Sequence, residues 1–178
     1  MNRGYFQKFQ IKDVVFLAIM SAVALATCAV MPLVISLQPL IFGISQLVTA
    51  LQIGVFFAIG LYKVRKPGSL LIMALMMGLI QLMMSPPMFL SSVLNGILIE
   101  LIVLLLFRGY ERDTAVFVAA MLHTPLSLPF NYLYNRLVKG ADSPLAAVAD
   151  RAPLAAVGMT LAVVAVSALG ALIGIKIA

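Results

Sequence analysis

Two ionisable side chains, Glu100 and His123, lie deep within long apolar stretches. Carboxylates and imidazoles inside a membrane most often mark ion pathways or proton relays. A Glu–His relay is therefore one reading of the pair, and an intramembrane enzyme or assembly factor using both groups is another. A buried hydrogen bond between neighbouring helices is the simpler explanation.

The richest polar run is PFNYLYNRLVKGADSP, residues 129–144. Asn131, Tyr134 and Asn135 stand at i, i+3 and i+4, which puts them on one helical face. Tyr132 and Arg136 share another. Rings, amides and a guanidinium so arranged can stack on and hydrogen-bond a small polar ring compound. An interfacial belt competes with that reading, because Tyr and Arg anchor helix ends; the two asparagines favour binding. Asn95 and Gln81 fall in the same half of their stretches and join the candidate substrate site. Gln46 and Gln52 read as interhelical hydrogen-bonding groups. Pro125 and Pro129 are expected to bend their helix and turn backbone carbonyls towards a cavity. The methionines of LIMALMMGLIQLMMSPPM read as flexible gap-fillers, with a copper or haem site a remote alternative.

The chain has no Walker-type phosphate loop, no paired zinc histidines and no Gly-x-Ser-x-Gly turn. No catalytic residue, metal site or cofactor is expected. Uphill movement of a solute would have to use an ion gradient or a borrowed ATPase.

The elements that must position these residues follow from composition. The sequence has 178 residues, 63% hydrophobic and only 10% charged, with a mean hydropathy of +1.14. Soluble domains carry about 25% charged residues, so this is an all-α, multi-pass membrane protein. At about 20 residues per span, the length accommodates six transmembrane helices in one domain covering 1–178. Their expected ranges are 13–35, 42–62, 69–85, 88–107, 113–136 and 153–175. Asp13 is expected to cap the first helix. KVRKPG (63–68), SPP (85–87) and FRGYERD (107–113) break the chain, and residues 138–151 form the longest polar connection. The apolar run after Lys12 is too long for a signal peptide, and LATC is a poor lipoprotein box because Thr27 precedes Cys28. A single cysteine excludes an internal disulfide framework.

Basic residues sort by side. Arg3, Lys8, Lys12, Lys63, Arg65, Lys66, Arg108, Arg112 and Lys176 fall on one side; only Arg136, Lys139 and Arg151 fall on the other. The positive-inside rule then puts both termini in the cytoplasm; the expected location is a plasma membrane of bacterial or archaeal type. The net charge of +6 is explained by topology, and no nucleic-acid partner is expected.

Six short spans, the segment IKDVVFLAIMSAVALA and alanines at Ala18, Ala22 and Ala26 resemble the substrate-binding S component of an energy-coupling-factor (ECF) vitamin transporter. Small side chains let a second helix approach closely in lipid. The resemblance implies that this face docks on a transmembrane coupling subunit, with two cytoplasmic ATPases completing the importer. Internal packing is the alternative use of such a face, since GALIG near the carboxyl end (Gly170, Gly174) is of the same kind.

The runs VRKPGSLLIMALMMGLIQLMMSPP, NGILIELIVLLLFRGYE and FNYLYNRLVKGADSP resemble the YkoE type, associated with thiamine or its hydroxymethylpyrimidine precursor. A second S-component group with a KVKK turn at the same place is nearly as close. The resemblance implies a monomeric subunit, not itself an enzyme, that captures a vitamin-like molecule from outside and topples in the bilayer to release it. A proton-coupled transporter acting alone remains a further reading. One departure stands out: thiamine is a cation, yet the third stretch carries Met73, Met77 and Gln81 and no acid.

Overall fold

The computed structural model describes residues 8–28, 34, 36–37, 40–140 and 143–178. Among them the chain forms seven helices: α1 (Ile11–Thr27), α2 (Ile44–Val64), α3 (Ser69–Leu82), α4 (Pro86–Phe107), α5 (Asp113–Val138), α6 (Pro144–Arg151) and α7 (Pro153–Ile177). Four of them, α2, α4, α5 and α7, are long and apolar enough to cross a membrane. At about 1.5 Å per residue, a helix of roughly 20 residues matches the hydrocarbon thickness. The 14-residue α3 is apolar but shorter.

Three expected boundaries shift. The first helix ends at Thr27 rather than 35, with the Cys28 N–H bonded to the Leu25 carbonyl. Residues 29–33 and 35 lie outside the described part. Asp13 does not cap that helix from its first position. Gln10 is the cap residue, and the Asp13 carboxylate reaches back to accept the Gln10 N–H at 3.0 Å. The connection 138–151 contains a helix of its own, α6, begun by Ser143, whose hydroxyl accepts the Ala146 N–H, and by Pro144 in the first turn. The Ser-Pro-Pro break is where the prolines require it, with Ser85 the cap and Pro86 opening α4.

α2 is the hub, in contact with α1, α5 and α7; α3 lies against α1 and α4, and α5 against α4 and α7. The α2–α7 crossing is close because glycines meet backbone. A methyl group added at Gly170 would sit 2.5 Å from the Leu51 carbonyl oxygen, and one at Gly54 would sit 2.8 Å from that of Ser167. Gly174 meets Val55 in the same way. The GALIG pattern is therefore used inside the molecule, against α2. In lipid this packing has no hydrophobic drive and rests on dispersion contacts, which demand such proximity.

Phe57, Leu17, Leu61, Met73, Ile99, Val103 and Val116 form the buried centre. Leu105, Leu106, Leu154, Leu161 and Leu172 point outward, fully at odds with an aqueous surface and suited to acyl chains.

The basic connections gather at one end. Lys66 donates to the Lys8 carbonyl and pairs with Asp13 at 2.6 Å. Lys63 Nζ lies 3.4 Å from the backbone oxygen of Ala178. Arg65 ends α2 in the left-handed conformation, at φ 45°. Its guanidinium offsets that strain through bonds to the Glu111 carbonyl at 2.7 Å and Asp113 at 2.6 Å. The start of α1, the α2–α3 and α4–α5 connections and the end of α7 thus share one face of the bundle.

Candidate functional site

A cavity of about 100 Å³ opens in the other half of the bundle. Four helices line it with residues at helical spacing. α2 supplies Ser45, Gln46, Thr49 and Ile53; α3 supplies Met77 and Gln81. α4 adds Met88, Ser91, Ser92 and Asn95, and α5 adds His123, Thr124, Ser127 and Asn131. No acid, lysine or arginine is among them. An apolar cavity of about 150 Å³ holds one benzene, so the space here is somewhat smaller than that and suits only a small molecule.

Most hydroxyls on this wall are used locally. Ser45 Oγ donates to Gln46 Oε1 at 2.8 Å, Thr49 to the Ser45 carbonyl at 2.9 Å, and Ser127 to the Thr124 carbonyl at 2.6 Å. Ser92 reaches across to the Ala74 carbonyl of α3 at 2.9 Å. Asn131 Nδ2 donates to the Ser127 carbonyl at 2.9 Å.

Three side chains differ. Asn95, His123 and Thr124 are 1%, 4% and 3% exposed. Among the described residues, no group pairs with Asn95 Nδ2 or Oδ1, with either ring nitrogen of His123, or with Thr124 Oγ1. Each such buried atom costs about 1–3 kcal/mol if left unpaired, so a cluster of them on one cavity wall calls for a partner. The His123 ring is held only by apolar contact, its centroid 4.4 Å from that of Phe57.

The proline effect on α5 is specific. Pro125 has no N–H for the Met121 carbonyl one turn back, and Ser167 of α7 supplies the missing donor at 2.8 Å. That freed carbonyl is therefore spent on helix packing and not on the cavity. α5 nevertheless runs as one helix from Asp113 to Val138.

The sequence candidates separate into three groups. Asn131, Asn95 and Gln81 line the cavity. Tyr132, Tyr134, Asn135 and Arg136 are not among its lining residues. Tyr132 donates to Asp150 of α6 at 2.7 Å, and Arg136 contacts the Tyr132 hydroxyl and pairs with Asp150 at 3.1 Å. Asn135 Nδ2 donates to the Asn131 carbonyl at 2.8 Å, and Tyr134 lies beneath Lys139. These four tie α5 to α6 and to itself. Asp142, the other acid close to Arg136 in the sequence, lies outside the described residues. Ala18 is half-buried and Ala22 and Ala26 are exposed, because α1 buries Leu17, Ser21 and Ala24 instead.

Among the described residues, Glu100 and His123 share no hydrogen bond. The Glu100 carboxylate accepts the Gly68 N–H at 2.6 Å and the Tyr110 hydroxyl at 2.9 Å. It thereby caps the start of α3 from α4 and fastens the α4–α5 connection. Tyr110 is fully buried there, and burial together with the adjoining carboxylate pushes its phenol well above the ordinary range. Neither ring nitrogen of His123 has a hydrogen-bond partner among the described residues.

Gln46, Ser91, Ser92, His123, Thr124 and Ser127 were not grouped with the candidate site from sequence. Their signal was present: 91/92 and 95, like 124, 127 and 131, repeat at three and four residues, so each set forms one polar stripe.

Residues 11–178 match the family described as "hypothetical bacterial integral membrane protein (Trep_Strep)". The chain belongs to the Trep_Strep family. No curated protein and no solved structure matches it. Membership makes this Trep_Strep chain an integral membrane protein, in keeping with its apolar exterior. Among the described residues of this Trep_Strep protein, no cluster of His, Cys, Asp or Glu could hold a metal ion.

Proposed function

We propose that this Trep_Strep protein is the substrate-capture subunit of an ECF-type importer, taking up a vitamin or vitamin precursor. The observation that carries the reading is the cavity. Its buried, unpartnered Asn95, His123 and Thr124 form a recognition surface set in an otherwise apolar bundle. Largely apolar walls with a few convergent polar groups are the usual form of a small-molecule site.

Two further features support it. The cavity occupies the half of the bundle away from the basic connections, which the positive-inside rule assigns to the outside. Ala22 and Ala26 on α1 are exposed, while GALIG is occupied by α2. A small-residue face free for another helix is what docking on a coupling subunit requires. In this reading both termini are cytoplasmic, α1 and the shorter α3 complete six spans of the plasma membrane, and partner ATPases supply the energy. Substrate enters from outside and leaves inward.

The test is capture from native membranes in mild detergent. A tagged chain should bring down one multi-pass coupling protein and two ATPases. Uptake by the purified chain alone in vesicles, driven by a pH gradient, would overturn the proposal.

A further inference from the structure

The same cavity constrains the chemistry of what it holds, and this inference rests on the capture reading above. Three facts combine. The lining contains no charged side chain from any of the four helices. Its unpartnered atoms are both donors and acceptors: an amide offers N–H₂ and C=O on one rigid plane, a neutral imidazole one donor and one acceptor, a hydroxyl either. The apolar part of the wall is Ile53, Met77 and Met88, flat or adaptable surface for a ring.

A charged ligand would be stripped of water here with no opposite charge to meet it, which is strongly unfavourable. The acid nearest in sequence on α4, Glu100, is committed to Gly68 and Tyr110. An uncharged ligand with donor and acceptor atoms on a planar edge would instead meet neutral amide, imidazole and hydroxyl groups and need no counter-charge. From this geometry we infer that the ligand is a small uncharged planar nitrogen heterocycle, of carboxamide or aminopyrimidine type, read by Asn95 and His123. Thiamine, a cation, does not fit this class; its hydroxymethylpyrimidine portion does.

Two pairs of probes are used: nicotinamide against nicotinate changes charge at nearly constant shape, and hydroxymethylpyrimidine against thiamine changes charge and size together. Binding to the full chain in detergent is measured by calorimetry at low and high salt, alongside mass spectrometry of any molecule that co-purifies. In at least one pair the uncharged member should bind at least about tenfold tighter, a difference of about 1.4 kcal/mol, with little salt dependence. Asn95→Leu and His123→Phe should each weaken it by about tenfold or more. Binding of nicotinate or thiamine as tight as that of its uncharged partner would overturn the inference and leave capture standing. So would unchanged affinity in both variants. If no probe binds, the co-purified molecule decides: an uncharged heterocycle supports the inference and a charged molecule overturns it. No probe bound and no molecule carried would sink the capture reading itself, and the inference with it.

Discussion

Replacing Ser167 by alanine should destabilise the bundle only because of a proline on another helix. The Ser167 hydroxyl donates to the Met121 carbonyl at 2.8 Å, across 46 residues of sequence. That carbonyl needs the partner because Pro125, one turn on, has no N–H to give. Ser167 is fully buried, so no water takes over readily. Ser167→Ala should therefore cost about 1–3 kcal/mol, or about 2–12 °C in melting temperature at 2–4 °C per kcal/mol for a chain of this size. In a Pro125→Ala background the helix regains its own donor, and the same Ser167→Ala change should cost at most about 0.5 kcal/mol, the lower bound of a net hydrogen bond. The chain contains a convenient reporter: its single cysteine, Cys28, is buried, so a thiol-reactive dye lights up as the fold opens. The four proteins form a double-mutant cycle. An equal loss from Ser167→Ala in both backgrounds would refute the reasoning, since the hydroxyl would then matter for something other than the proline's missing donor.

Three other perturbations probe separate parts of the molecule. Tyr110→Phe should cost about 1–3 kcal/mol by removing a hydrogen bond to the buried Glu100 carboxylate, and Glu100→Gln should make the Tyr110→Phe change markedly cheaper in the same dye assay. Gly170→Val should lower the melting temperature more than any of these, because even a methyl there meets the Leu51 carbonyl oxygen at 2.5 Å; a melting curve like wild type would mean that α2 and α7 are not packed as described. Ala22→Leu, on an exposed face, should leave both melting temperature and ligand affinity unchanged while the coupling protein is lost from pull-downs; full recovery of that protein would assign the alanine face to lipid.

Where prolines or charges punctuate the sequence, the elements were legible. Ser85-Pro86-Pro87 and the basic turns at Arg65–Lys66 and Arg108–Arg112 fix the ends of α2, α3, α4 and α5 to within a few residues. Hydropathy says how apolar a stretch is and not where its helix stops, so the first helix was read past Thr27. α6 hid within a polar connection because eight residues are too few to show a clear period.

The site was legible in part. Asn131, Asn95 and Gln81 are large polar groups in apolar runs and stand out on that ground. Serines and threonines such as Ser92 and Ser127 do not, because they disappear into helices by bonding nearby carbonyls. Tyr132 and Arg136 had the right chemistry for a ligand, but their partner Asp150 sits on α6, the helix that sequence did not reveal. His123 was weighed as a relay group with Glu100. What separates the two is tertiary: Glu100 finds its donors in two connections at the basic end, while His123 finds none.

The central claim is that the cavity around Asn95, His123 and Thr124 captures a small molecule, and the most direct measurement is to weigh what it holds. Wild type and Asn95→Leu are purified in parallel from native membranes without added ligand, and each is examined by native mass spectrometry. The Cys28 dye assay confirms that both are folded. Wild type should carry one discrete small molecule near one-to-one, and Asn95→Leu should carry little or none while melting no lower, since leucine leaves no amide atoms unpaired. A wild-type protein that carries nothing, or a variant that retains the same molecule at full occupancy, would contradict the account.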